Sequence, residues 1–238
     1  MRGRRLLTPS AVLTAAGFAV LGCTSRGEVV REHMQGHFDE AMTVHAAVID
    51  GDLESAKEAA SWIVEHERVD APSGWDPHIA SMRDVAQEVV DAESVGAAAH
   101  AASQLTRTCG GCHTALAPEA TFTASPAPPD DPQIVPHMLR HNWAIERMWE
   151  GLTMSSVEAW NLGAQELSGT PVSLDAMTVE AGEEQAVSAL AQRVHQLGAQ
   201  AANEVAWGGR TDVYGQLLAT CAACHQRVRQ AGETAEME

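Results

Sequence analysis

Two short stretches decide how this chain folds: Cys221-Ala222-Ala223-Cys224-His225 and an earlier copy, Cys109-Gly110-Gly111-Cys112-His113. Two cysteines three positions apart, followed at once by histidine, form the attachment signature of a c-type haem. The cysteines take up the porphyrin vinyl groups as thioethers, and the histidine ligates the iron. Half of a zinc site or a redox dithiol would explain one pentapeptide, but two copies ending in histidine favour haem. The sequence therefore predicts two covalent haem c groups, with His113 and His225 as proximal iron ligands.

A second pattern repeats with these motifs. Glu32-His33-Met34-Gln35-Gly36-His37-Phe38 aligns without gaps with Pro136-His137-Met138-Leu139-Arg140-His141-Asn142. Each copy therefore opens with His-Met-x-x-His and closes with Cys-x-x-Cys-His, which is the mark of a tandem duplication.

Hydrophobic periodicity predicts an all-α chain. In the first copy Met34, Phe38, Ala41, His45 and Val48 step by four and three, the spacing of an inward helical stripe. Each copy is predicted to contain four short helices around one haem. Asp52 is predicted to cap a second helix that runs to about His66.

Similar local signals set the predicted helix ends of the second copy. Ser155 and Glu158 have the spacing of a capping box. Gly208-Gly209 is predicted to stop the third helix, and Thr211 to cap the fourth.

These observations divide the chain into two tandem four-helix-bundle haem domains behind an export signal. Ala117 to Pro136 holds six of the ten prolines and is predicted to be a linker. The predicted segments are a signal peptide (1–22), a lipidated tether (23–31), an N-terminal monohaem domain (32–116), the proline-rich linker (117–136), a C-terminal monohaem domain (137–232) and a tail (233–238).

The beginning of the chain predicts export and lipidation. Arg2, Arg4 and Arg5 precede a short apolar core that is too short for a comfortable membrane span. The core ends at Val20-Leu21-Gly22-Cys23, which resembles a bacterial lipobox, so Cys23 is the predicted lipidation site. An ordinary signal peptide with an incidental cysteine is the alternative. The predicted location is the periplasmic side, anchored by lipid, and Thr24 favours the outer membrane.

The charge balance limits the partners. Cleavage after residue 22 reduces the basic residues from 15 to 12, against 32 acidic residues, which gives a formal charge of −20. Such a charge argues against nucleic acid and against docking on anionic lipid, and it would steer a basic redox protein toward the chain.

The two motifs, their place near the ends of the last helices and the leader Tyr214 to Thr220 resemble the cytochrome c′ family and its low-spin relatives. The resemblance implies antiparallel four-helix bundles, with Arg229 near a haem propionate; Ala117 stands at that position in the first copy. Family members often dimerise through their first helices, so a homodimer and an internal pseudo-dimer are both open.

The resemblance also places the residue facing the distal side of each iron on the first helix of each copy. Met34 and His37 share one helix face, as do Met138 and His141, so one residue of each pair can ligate. His33 and His137, a turn earlier, are expected to meet a propionate or solvent. The remaining histidines, His45, His66, His78, His100 and His195, are expected to be surface or satisfied core residues.

Two functions follow from these alternatives. With methionine or histidine on the distal side, the chain is a dihaem electron carrier and not an enzyme. With an open distal side, the resemblance implies five-coordinate iron that binds or senses NO or CO. The sequence favours electron transfer, because no separate catalytic constellation stands out.

Overall fold

The computed structural model describes residues 26–66, 73–116, 125–129, 131, 133–169 and 182–236. Within these ranges the prediction of an all-α chain is confirmed, since every regular element is a helix and no strand occurs. The helices are α1 (Arg26–Asp50), α2 (Leu53–Glu65), α3 (Asp76–Val90), α4 (Val95–Leu116), α5 (Ile134–Met154), α6 (Val157–Leu167), α7 (Glu184–Asn203) and α8 (Trp207–Glu236).

Two helices begin earlier in the chain than the predicted domain boundaries. The predicted signal peptide and Cys23 lie outside the described residues. Helix α1 begins within the segment predicted as a tether, and α5 begins within the predicted linker. None of the described helices is long and apolar enough to span a bilayer.

The turn between α1 and α2 forms as predicted. Gly51 takes a φ of 72°, a left-handed conformation that costs glycine little. Asp52 then caps α2, and its side chain accepts a hydrogen bond from the backbone N–H of Ser55 at 3.0 Å. His66 ends that helix.

The predicted cap of α6 was wrong by one residue. Ser156, not Ser155, caps α6 by accepting a hydrogen bond from the backbone N–H of Ala159 at 3.2 Å. Ser155 instead ends α5 in a left-handed conformation with φ 51°. The chain has to reverse direction there before α6 can begin, so the capping role passes to the next serine.

The predicted boundary between α7 and α8 was also wrong. Helix α7 ends at Asn203, because the Glu204 carboxylate accepts from the backbone N–H groups of Val205 and Ala206 and turns the chain early. Gly208-Gly209 lies in the first turn of α8. Thr211 is not a cap, since its hydroxyl donates to the Trp207 carbonyl inside α8 at 2.8 Å.

The helices pack both within each copy and between the copies. Helices α1 to α4 contact their neighbours in chain order, and α4 returns to α1; α5 to α8 follow the same plan. Between the copies, α4 packs against α5 and α8, and α1 packs against α8. The first and last helices of the two copies therefore form the contact between them.

The largest buried cluster belongs to both copies. It contains Val44 and Val48 from α1 together with Trp149, Leu152 and other residues of the second copy. A smaller cluster lies within the first copy alone and comprises Ala41, Ile63, Met82, Ala86 and Leu105. Burying shared apolar surface stabilises the two copies against each other as well as internally.

A buried polar link crosses this shared core. His45 of α1 forms a 2.6 Å hydrogen bond with the Tyr214 hydroxyl of α8, and that hydroxyl also donates to the Ile145 carbonyl of α5 at 3.1 Å. His45 is thus a satisfied core residue, as expected from the sequence.

The predicted inward stripe of α1 is correct in its central part. Ala41, His45 and Val48 are buried, whereas Phe38 is 47% exposed. Phe38 packs edge-on against Trp149 of α5 with ring centroids 5.1 Å apart. Phe38 therefore lies at the contact between the two copies and not in the buried core.

Candidate haem sites and a histidine cluster

A cavity of about 570 Å3 joins the first cysteine motif to the first helix. Cys109, Cys112 and His113 line it from α4, while Met34 and His37 line it from α1. Ligand sites commonly have volumes of roughly 300–1,000 Å3 and mostly apolar walls. The further wall residues include Ala41, Ile63, Trp75, Ile79, Met82, Leu105 and Met154. The predicted proximal and distal candidates of the first copy thus share one cavity.

The second copy completes the wall of this cavity. Trp149, Glu150 and Thr153 of α5 line it, next to Phe38 of α1. Trp149 thus belongs both to the core shared by the copies and to the wall of the first copy's cavity. Trp149, Glu150 and Thr153 reach the cavity because α4 packs against α5, and no local sequence pattern predicts that packing.

The cysteine side chains of both motifs are held as neutral thiols. Burial, assisted by the nearby Cys112 thiol, raises the pKa of Cys109 to about 11. Burial likewise raises the pKa of Cys221 to about 12, again assisted by its motif partner, Cys224. Catalytic redox thiols need the opposite, a lowered pKa, so these pairs do not resemble an activated dithiol.

The first proximal candidate, His113, lies in the last turn of α4. Burial lowers the pKa of its imidazole, an effect partly opposed by the backbone of Thr153. Its buried Nδ1 atom has no hydrogen-bond partner. A neutral imidazole with a free lone pair can ligate a metal ion.

Close contact with α5 fixes the position of this motif. The Gly110 carbonyl accepts hydrogen bonds from the Ser155 hydroxyl at 3.1 Å and the Thr114 hydroxyl at 2.7 Å. Arg107 also donates to the Ser155 hydroxyl at 3.2 Å. A residue larger than glycine at position 110 would meet the Leu152 carbonyl oxygen. The left-handed end of α5 therefore rests directly on the motif.

His33 and His37 form part of an aromatic cluster next to the cavity, and His37 also lines the cavity itself. Their Nε2 atoms lie 3.2 Å apart, and His66 stacks on both His33 and Trp62. Burial, followed by repulsion from His33, His66 and Arg83, lowers the pKa of His37 to about 4. The buried Nδ1 atom of His37 has no hydrogen bond. His33 is itself buried and contacts His37 and His66, and the propionate or solvent expected to meet it stays a prediction.

The second motif is held by the end of α1. The Nδ1 atom of His225 lies 3.0 Å from the Ile49 carbonyl oxygen and 3.9 Å from an Asp50 carboxylate oxygen. Next to it, the Gln226 amide donates to the Gly51 carbonyl at 3.0 Å. Metal-ligating histidines commonly donate their second ring N–H to a backbone carbonyl. Such a bond at Nδ1 would leave Nε2 of His225 available to ligate a metal ion.

Two arginines lie where carboxylates of a bound group could meet them. Arg229 lines an open cavity of about 680 Å3 formed with the end of α1 and the start of α2. Arg31, which the sequence did not single out, lines the cavity of the first motif. It lies at the end of the segment predicted as a tether, for which the sequence predicted no ligand contact.

The distal candidates of the second copy have different neighbours from those of the first. His137, His141 and His195 bring one nitrogen each to within 4.8 Å of one another. Burial lowers the pKa of His141 to about 3, and repulsion from His137 and His195 contributes. His195 was expected to be a surface or satisfied residue; it is buried, and neither ring nitrogen has a hydrogen bond of good geometry. Met138, beside this cluster in sequence, is half-buried.

Comparison with known proteins identifies no relative: no protein-family model, no curated protein and no solved structure matches this chain.

Proposed function

We propose that the chain is a dihaem c-type cytochrome that carries electrons between redox partners. The observation that carries the proposal is the first cavity, whose lining includes Cys109, Cys112 and His113 from α4 as well as Met34 and His37 from α1. Two thiols for covalent attachment, a proximal imidazole and a distal ligand are what a six-coordinate haem c needs. The proposed architecture is two tandem four-helix haem units of the cytochrome c′ type.

The competing uses of the motifs fit less well. A zinc site needs three or four donors that converge, yet the histidine cluster is the one such group of three or more within the described ranges. A redox dithiol needs thiolate character, which burial opposes at Cys109 and Cys221. Thioether bonds to haem use neutral sulfur, which suits buried positions.

The protein would contribute ligands and shielding to the first haem. The haem iron, when bound, supplies one-electron oxidation and reduction. His113 would hold it from α4, and either Met34 or His37 would hold it from α1. His37 is neutral over the physiological range because its pKa is lowered to about 4, so its lone pair needs no deprotonation. Arg31 would face a propionate at the exposed end of the cavity.

The second haem would be held between the copies. Cys221 and Cys224 would attach it, and the Ile49 carbonyl would orient His225 through its Nδ1–H. Met138 and His141 of α5 are the distal candidates, and Arg229 is the candidate for a propionate contact. In this proposal the end of α1 acts as a positioning element for the second iron.

The location and partners follow from the sequence. Lipidation at Cys23 would anchor the protein on the periplasmic side, where haem c is attached, and the acidic surface would attract a basic redox protein. Binding or sensing of NO or CO is the alternative, and it requires that neither Met34 nor His37 ligates the first iron.

The test is the absorption and electron paramagnetic resonance spectra of the purified holoprotein, with and without carbon monoxide. Two haems by pyridine haemochrome assay, both low-spin and unaffected by the gas, are expected. Met34→Leu would remove the first haem's share of the methionine-to-iron charge-transfer band if Met34 ligates, whereas His37→Leu would convert the first haem to high spin if His37 does. Met42→Leu on the same helix and exposed His100→Gln are the matched controls. A high-spin wild-type haem that binds the gas would refute electron transfer for that haem.

A further inference from the structure

The second copy contains a cluster of three histidines, of which the haem proposal uses at most one, His141, as an alternative to Met138. His137 and His141 lie four residues apart on α5, so they share a helix face. His195 joins them from α7, with ring centroids 5.0 Å from His141 and 6.1 Å from His137. Two helical histidines at this spacing, with a third ligand from another element, are a recurrent zinc-binding arrangement.

Buried ring nitrogens without good hydrogen bonds make this cluster suitable for binding a cation. The buried Nε2 atom of His141 has no hydrogen bond, and neither ring nitrogen of His195 has one of good geometry. Unpartnered buried polar atoms are costly and call for a partner. The carbonyls of Leu167 and Gly169, at the end of α6, approach the ring of His195 and partly oppose the lowering of its pKa by burial. Such carbonyls commonly orient a metal-ligating histidine through its second nitrogen.

The distances suit a small transition-metal ion. One nitrogen from each ring already lies within 4.8 Å of the other two. A tetrahedral ion with metal–nitrogen bonds of about 2.1 Å would hold its nitrogens about 3.4 Å apart. Shifts of about an ångström, within reach of side-chain rotation, would close the site.

The histidines of the first copy are arranged differently from the cluster of His137, His141 and His195. There His33 and His37 contact each other, and the third histidine, His66, stacks on Trp62. His37 also lines the cavity of the cysteine motif. In the second copy the contacts of His225 are to α1, whereas those of His141 are to His137 and His195.

We propose that His137, His141 and His195 bind one divalent transition-metal ion of the zinc or copper type, separate from the haem irons. Imidazole nitrogens suit these ions, and three ligands leave a fourth position for water or an exogenous ligand. The site extends the chain beyond the proposed electron transfer, and it leaves Met138 as the distal candidate for the second haem.

The test is equilibrium dialysis of the holoprotein against Zn2+, Cu2+ or Mg2+ alone, followed by elemental analysis. One Zn2+ or Cu2+ per chain in addition to the haem iron is expected, with no Mg2+. X-ray absorption at the zinc edge is expected to show three imidazole nitrogens. His195→Gln is expected to weaken Zn2+ binding by at least about tenfold, since even outer partners of metal ligands are worth roughly 10- to 100-fold. His100→Gln, on an exposed part of α4, is the matched control and is expected to bind normally.

Other results would overturn the inference. Unchanged Zn2+ binding in both His195→Gln and His141→Gln would do so, as would binding lost only in His66→Gln of the first cluster. A His195→Gln variant that keeps its Zn2+ but changes the haem spectrum would assign the cluster to iron. Haem content, measured separately, shows whether the dihaem proposal itself fails. Far-ultraviolet circular dichroism of each variant confirms that it is folded.

Discussion

The two glycines of the first cysteine motif provide a sharp test of how α4 meets α5. They are adjacent in sequence, yet their surroundings differ. A Cβ atom on Gly110 would lie 2.1 Å from the Leu152 carbonyl oxygen and 2.7 Å from an Arg107 nitrogen. A Cβ atom on Gly111 would have no neighbour within 4 Å. We therefore expect Gly110→Ala and Gly111→Ala to change stability in opposite directions.

The expected magnitudes follow from two opposing effects. Alanine in place of a helical glycine gains about 1 kcal/mol from helix propensity. Overpacking costs roughly 1–3 kcal/mol, and the upper end applies at Gly110 because the closest atom belongs to the backbone of α5. Gly110→Ala should therefore lower the free energy of unfolding by about 2 kcal/mol, whereas Gly111→Ala should raise it by about 1 kcal/mol.

Urea unfolding of the holoprotein, followed by far-ultraviolet circular dichroism, measures both variants under the same conditions. Haem content is determined first, so that a failure of covalent attachment is not mistaken for a change in packing. If Gly110→Ala is as stable as Gly111→Ala, α4 and α5 do not approach each other at this point. The described contact of α5 with the motif would then be wrong.

Three further predictions concern the link between the copies. Tyr214→Phe removes the hydroxyl that bonds His45 and the Ile145 carbonyl. Because these buried groups lose their partner, the free energy of unfolding measured in urea should fall by about 1–3 kcal/mol. An unchanged free energy of unfolding would contradict the described hydrogen bonds. Burial lowers the pKa of His45 to about 4 from an ordinary value near 6.5, so its contribution is complete above pH 6.5 and is lost as the pH falls from 6.5 through 4. This loss should reach about 3 kcal/mol and should be absent from a pH series of His45→Gln. Gly51→Ala, at φ 72°, should cost about 1–2 kcal/mol through backbone strain. Its Cβ would also meet the side chain of Gln226, which bonds the Gly51 carbonyl, so under the dihaem proposal the spectrum of the second haem should change. Gly74→Ala, at φ 91° with only one distant contact, should show the strain alone.

The sequence predicted the features that depend on neighbouring residues. The helical class, the Asp52 cap and the central stripe of α1 follow from periodicity and side-chain chemistry within a few turns. The grouping of Met34 and His37 with the first motif could be expected as well, since an antiparallel bundle brings its first helix beside its last.

Features created by packing between the copies could not be predicted. Trp149 reaches the first cavity, and His225 reaches Ile49, only because α4 and α8 pack across the boundary of the repeat. His195 has no counterpart in the first copy, so the repeat gave no reason to place it with His137 and His141. The errors at Ser155 and Gly208 have a similar origin, because several capping patterns were available and tertiary geometry selected among them.

The bond between His225 and the Ile49 carbonyl has a consequence for how this gene can evolve. A duplicated gene usually leaves each copy free to be lost, shuffled or expressed alone. Here the C-terminal half relies on the end of a helix from the N-terminal half to orient its histidine, so a deletion of either copy removes more than one unit of the repeat. A split at the proline-rich segment is therefore expected to leave His225 without this contact, so the C-terminal half should not behave as an independent unit.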